Sequence, residues 1–198
     1  VTFRMQIMTL ELFIAFSNKR AARQAAEGYG GCLYEDVKDR LHHEPFAALL
    51  CTNHLDVTAL LSVADVGAYR VDRRVMKARD PLTPVGPQPG AIGVFTMVAN
   101  PKLGHDAADE HWRDEHAPLA LSIHLAMSNY TQLSVLHRFK GPAWDGFALC
   151  GFESIEDLET RFFATKAGAR LIAEDVNRFA DTQASPRRVV VLETRYKT

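Results

Sequence analysis

The stretch Asp106–Gln132, DAADEHWRDEHAPLALSIHLAMSNYTQ, decides how the rest of the chain is read. Trp112, His116, Leu119, Ile123 and Met127 recur at steps of three or four, so a helix places them on one face. Asp109, Glu110, Arg113 and Asp114 fall on the opposite side and turn to water. His116 is therefore a polar ring on a stripe that must be buried. Pro118 follows two positions later, where it removes a backbone donor and either kinks the helix or starts a second segment. The ordinary account of His116 is a core histidine bonded to a carbonyl. The sharper one is a site residue, since an imidazole titrating near ~6.5 can move a proton at neutral pH.

Working outward, the composition bounds what the chain can be. It has 198 residues, enough for one ordinary domain or two small ones. With 47% hydrophobic and 24% charged residues it can bury an ample core and remain soluble. The net charge of −1, with both signs interspersed, gives no electrostatic case for nucleic acid or an anionic membrane. No run approaches the length of a membrane span: LELFIAF is too short and flanked by polar residues, and no signal peptide is recognised around it. Cys32, Cys51 and Cys150 are scattered, odd in number and set in apolar runs, which fits reduced core thiols in a cytoplasmic protein.

Before the helix lies the break Asp80–Gly90, DPLTPVGPQPG, with four of the nine prolines. It is the expected linker between a first half, residues 1–80, and a second half, residues 91–198. In the second half, Ala91–Ala99 lacks polar alternation and is expected to be a strand covered on both faces. Tyr130–Phe139 alternates as a strand, GFALCGF follows a turn at Gly141 and Pro142, and Ser154 with Asp157 forms a capping box for a helix SIEDLETRFFATKAG. Further helix over about Ala169–Phe179 and a strand within Pro186–Tyr196 complete the order β-α-β-β-α-β. In the first half, Phe3–Phe16 suggests a strand bulged near Thr9, with a helix from Met8 as the alternative. Asn18–Glu27 is expected to be a helix ending at Gly28, CLYEDVKDRL a half-exposed strand, FAALLC a strand buried on both faces, and Asn53 a helix cap. Tyr29 and Tyr130 lie 101 positions apart, as do Phe46 and Phe147, Asn53 and Ser154, and Asp56 and Asp157. That offset points to a duplication. The expected fold is α+β: two tandem ferredoxin-like halves packed sheet to sheet, with inner faces sharing one core.

EHWRDEHAPLA, then NYTQ, DGFALCGFESIEDLETRFF and EDVNRFAD, resembles the EthD family of the dimeric α/β-barrel superfamily over about Asp106–Asp181. The resemblance rests on W-x-x-x-H-A-P, the aromatic residue of the next strand, the D-G-x-A turn, the F-x-S-x-x-D-L cap and the closing R-F-x-D. It implies a barrel whose second subunit is replaced by the first half, in a monomer or homodimer. It also implies a site in the second half, with His116, Tyr130 and Asp181 as catalytic candidates. Trp112, His111, Phe147 and Phe179 are the candidate substrate contacts, although Phe147, like Phe152, Phe162 and Phe163, also suits the core or a pocket wall. Asp145 is expected to hold its turn, and His105 to cap the helix start. His42 and His43 are expected to be solvated, while His124 and His137 have no evident partner. His105, His111 and His116, spaced by six and five, do not share a face, so no metal is expected. No phosphate loop or nucleophile elbow is present, and no cofactor is expected.

The expected function is a cofactor-independent enzyme acting by acid/base chemistry on a small aromatic or polyketide-like metabolite. Cyclisation, isomerisation, dehydration and decarboxylation all fit an enolate. The alternatives are an accessory protein that binds a hydrophobic metabolite without turnover, and a structural duplicate whose histidine only packs.

Overall fold

The computed structural model describes residues 10–38, 45–54, 56–79 and 84–197. The expected strand before Leu10, and His42 and His43, lie outside the described residues. Strand β1 (Leu10–Phe16) is buried on both faces: Phe13 and Ala15 point to one side, Leu12, Ile14 and Phe16 to the other. That double burial is why its sequence shows no polar alternation. Asn18 caps α1 (Lys19–Tyr29), accepting hydrogen bonds from the amides of Arg20 and Ala21. The helix ends at Gly30, not Gly28, because Gly30 turns to positive φ, 71°, and Gly28 does not. Tyr29 thus closes the helix rather than opening β2 (Gly31–Asp36). β3 (Ala48–Thr52) is buried throughout, as its apolar run requires. Helix α2 (Val57–Val63) is capped by Asp56 and not Asn53, since the Asp56 carboxylate reaches the Ala59 amide. β4 (Gly67–Lys77) completes the first half.

Within the Pro/Gly stretch, β5 (Gly86–Pro87) pairs for two residues with β9 (Val189–Tyr196). β6 (Ala91–Met97) is covered on both faces, as expected. The organising helix comes in three pieces: α3 (Gly104–His111), one π-helical turn over Trp112–His116, and α4 (Ala117–Ile123). In the wide turn the Ala117 amide reaches back five residues to the Trp112 carbonyl. A proline ring collides with the carbonyl four residues before it, so widening the turn ahead of Pro118 lets the helix continue. β7 (Met127–Lys140) and β8 (Gly146–Phe152) follow. Ser154 caps α5 (Ile155–Thr160) through the Asp157 amide, as the capping box requires. That helix does not run on to Gly168. It stops at Arg161, and Thr165 caps a new helix, α6 (Lys166–Phe179).

All pairings are antiparallel, in the order β2-β3-β1-β4-β7-β8-β6-β9, and β9 returns to β2. Eight strands therefore close into a barrel within one chain, a mixed α/β fold with helices outside. Two seams join the halves, β4 with β7 and β2 with β9. The barrel interior is filled by Phe13, Tyr34, Tyr69, Val94, Leu133, Trp144, Phe147 and Val191, drawn from both halves. A second apolar layer lies outside the strands, under α1 and α2 in one half and under α4, α5 and α6 in the other.

Candidate active site

The site belongs to the outer layer of the second half. A cavity of about 490 Å³ separates the outward faces of β6, β7 and β8 from the π-turn, α4 and α6. Its volume is that of a small-molecule site. Phe95, Phe162, Phe163, Phe179 and Ile172 make its walls apolar, and Trp112, His116, His124 and Tyr130 bring polar atoms to it. The break after α5 is what turns Phe162 and Phe163 into this wall.

His116 is buried, and its Nδ1 lies 2.8 Å from Asp175 Oδ2. The other oxygen of the same carboxylate lies 2.8 Å from His111 Nε2. Burial alone would raise the Asp175 pKa, but the two imidazole hydrogen bonds win and hold it below the usual carboxylate range. Asp175 is therefore ionised, and both rings must donate to it. His116 carries its proton on Nδ1, which leaves Nε2 an acceptor with no protein partner among the described residues. Burial pushes the His116 pKa below that of a free imidazole, against the opposing pull of Asp175. Its base form thus predominates at neutral pH. Phe179 fixes both rings, tilted on His116 at 5.0 Å and stacked on His111 at 5.4 Å between centroids.

Tyr130 is also buried. Its hydroxyl oxygen accepts from Trp112 Nε1 at 3.1 Å and from Gln132 Nε2 at 3.0 Å. With two N–H donors on that oxygen, the phenolic proton is left for something else, and the cavity lies beside it. Burial raises the Tyr130 pKa far above its ordinary value, so the phenol is a donor at any working pH. Gln132 also donates to the Trp112 carbonyl at 2.9 Å, tying β7 to the wide turn. Arg74 pairs with Asp109 and lies over the Trp112 ring.

Of the residues expected from sequence, the structure brings His116, Tyr130, Trp112 and Phe179 to one cavity. His111 stands behind it, on Asp175. Asp181 Oδ1 accepts from the amides of Gln183 and Ala184, both at 3.0 Å, and shapes the turn after α6. Asp175 is the carboxylate at His116. Phe147 packs inside the barrel and is not part of the cavity wall. His124 has a partner after all, with Nδ1 2.6 Å from the Phe162 carbonyl. His105 does not cap its helix. Its Nδ1 lies 3.1 Å from Asp145 Oδ1, and Asp145 Oδ2 accepts from the Ala99 amide, so the D-G turn is held as expected. Among the described residues no group of three or more His, Cys, Asp or Glu side chains is arranged to hold a metal ion.

Two measurable consequences follow from this packing. A Cβ on Gly146 would meet Trp112 Cζ3 at 2.6 Å and Cη2 at 3.0 Å. Gly146→Ala is thus expected to displace the indole and cost about 1–3 kcal/mol in urea unfolding. An unchanged midpoint would mean the indole has room to yield. The second consequence concerns acid. Because the folded pKa of His116 is depressed, its contribution to stability is complete above the unfolded value near ~6.5 and is lost as pH falls toward the folded one. The melting temperature should therefore drop between pH 7 and 5, and drop less in His116→Gln. Equal slopes in both proteins would contradict the burial argument.

A closed antiparallel barrel of eight strands with helices outside defines the class, a mixed α/β barrel. Residues 100–183 match the model of the EthD domain family. The chain is similar in structure to a protein described as anthrone oxidase-like, with TM-score 0.59 and 10% identity, covering 95% of this chain and 91% of that one. It is also similar to one described as a "putative monooxygenase" from Fusobacterium nucleatum, with TM-score 0.53 and 8% identity, covering 96% and 93%. No curated protein matches the chain by sequence. At these identities the likeness is one of fold.

Proposed function

We propose that the chain is a cofactor-independent enzyme in which His116 takes a proton from a small aromatic or polyketide-like substrate. One observation carries the reading. His116 lines an apolar cavity with its Nδ1 bonded to an ionised Asp175, beside a phenol whose oxygen is already occupied by two donors, and its Nε2 is left to accept. The substrate lies flat among the aromatic walls, with Trp112 at its edge. Nε2 removes a proton from an acidic C–H or a phenol, and Asp175 stabilises the imidazolium that forms. Tyr130 donates its remaining hydrogen bond to the oxyanion of the resulting enolate or phenolate. Phe179 and His111 hold the Asp175–His116 pair in place. Cyclisation, isomerisation and dehydration can each proceed from that intermediate, and decarboxylation would reach the same enolate by loss of CO2, with Tyr130 stabilising it and His116 in its protonated form returning a proton. A ligand such as the anthrone named for one structural neighbour, an aromatic ketone, would suit the walls.

The same proposal takes residues 1–80 and 91–198 as two ferredoxin-like halves joined by residues 81–90. Supporting it are the element order, β-α-β-β-α-β twice, and the strand orders β4-β1-β3-β2 and β9-β6-β8-β7. With the barrel closed internally, a monomer is self-sufficient and a homodimer is optional. Among the described residues no helix is long and apolar enough to cross a membrane.

The test is deuterium incorporation from solvent into the acidic carbon of small aromatic ketones, followed by NMR. Exchange that disappears in His116→Ala is the expected result, with kcat/KM falling on the acid side only below the ordinary imidazole range. Saturable binding without exchange across the panel would favour instead an accessory protein that holds a hydrophobic metabolite.

A further inference from the structure

The barrel interior changes character at one end. Along β4, Val71 points into the core, and Arg73, Val75 and Lys77 follow it on the same face. Along β9, Val189 and Val191 are followed by Glu193 and Arg195, and along β7, Leu133 and Val135 are preceded by Thr131 and Asn129. Inward faces of small barrels are normally filled by apolar side chains. Here they enclose a cavity of about 230 Å³ instead, floored by Tyr34, Ile92 and Leu149. A single water needs only about 10–15 Å³, so a molecule of several heavy atoms fits.

The lining carries four cations, Arg73, Lys77, Arg79 and Arg195, and one carboxylate, Glu193. Arg195 Nε is matched to Glu193 at 2.8 Å, and Arg73 Nη1 to Glu11, which stands behind it, at 3.2 Å. Neither Lys77 nor Arg79 has a carboxylate partner among the described residues. Arg79 Nη2 is buried with no hydrogen-bond partner among the described residues. A buried guanidinium nitrogen left unpaired costs free energy and calls for an occupant. Tyr34, 1% exposed, also lines the cavity and brings a phenol donor to it. Burial keeps that phenol protonated, with Arg73 only partly opposing.

We propose that this end of the barrel is a second binding site, separate from the His116 cavity, for a small anion bearing carboxylate or phosphate oxygens. Arg79 and Lys77 supply the unneutralised charge, Tyr34 donates to one oxygen, and Asn129 and Thr131 complete the polar wall. None of these residues lines the His116 cavity, so the site stands or falls independently of the proposed reaction.

Isothermal titration of the full chain with sodium phosphate, and separately with succinate, at constant ionic strength set by chloride, tests the site. Saturable one-site binding in at least one arm is expected, and the tighter arm identifies the oxygen chemistry. Arg79→Gln should weaken it tenfold or more and Tyr34→Phe several-fold, with circular dichroism melts confirming that both variants fold. His116→Ala should leave it unchanged. The proposal is overturned if neither anion binds saturably, or if binding is indifferent to both Arg79→Gln and Tyr34→Phe. It is equally overturned if His116→Ala abolishes binding.

Discussion

His116→Ala is expected to lower turnover by about two to four orders of magnitude, the span typical of a positioned acid/base group, while the protein stays folded. The ring is buried and lines the cavity, so its removal takes the base and leaves the apolar walls in place. Substrate affinity should change little, because Trp112, Phe162 and Phe179 still make the pocket. Asp175→Asn tests the same step from behind. An amide presents no ionised acceptor for Nδ1–H, so the imidazole loses its preferred tautomer and the support for its charge. It is a positioning residue, and its signature is a lower kcat with KM preserved. If the imidazole were only packing, the truncation would show itself as about 1–3 kcal/mol of lost stability with turnover intact. A melting curve and a rate measured on the same preparation separate the two. A variant that melts early but turns over normally would remove His116 from the chemistry.

The face that carries Trp112 and His116 was legible because one helical period collects apolar residues around a single imidazole. Asp175 carried the same kind of signal, since Ile172, Asp175 and Phe179 repeat at steps of three and four and are all buried. An acid in EDVNRF nonetheless has the look of the solvent side of a helix. Asp181, closing the motif, drew the role instead. The Ser154 cap was readable because it needs only local spacing. The end of α5 at Arg161 was not, as no proline or glycine marks it and only Thr165, a cap for the next helix, hints at a new start. Strand faces were the harder matter. In β6 and β8 both sides are covered, one by the opposite half of the barrel and one by helices. Neither side needs polar residues, so hydropathy alone cannot say which of Phe147 and Cys150 turns inward and which meets the cavity.

That ambiguity makes Phe147→Ala the informative core change. Phe147 has 0% of its surface exposed, and its ring lies 4.6 Å from Phe13, 5.5 Å from Tyr69 and 5.7 Å from Trp144. Phe13 and Tyr69 belong to the first half, Trp144 and Phe147 to the second, so this cluster fastens the halves across the barrel. Truncating the ring forfeits its burial and leaves a hole that a closed barrel of eight strands cannot collapse to fill. A cost of about 3–5 kcal/mol in urea unfolding is expected. Leu125→Ala, at a side chain 72% exposed, should stay within about 0.5 kcal/mol and serves as the control. Because Phe147 faces away from the His116 cavity, ligand affinity measured on the folded fraction should match that of the parent. A loss of affinity by tenfold or more, with stability changed by less than about 1 kcal/mol, would place Phe147 in contact with the ligand after all. The opposite result, a large loss of stability with affinity intact, fits a barrel whose interior holds the halves together while the chemistry is confined to the outer layer.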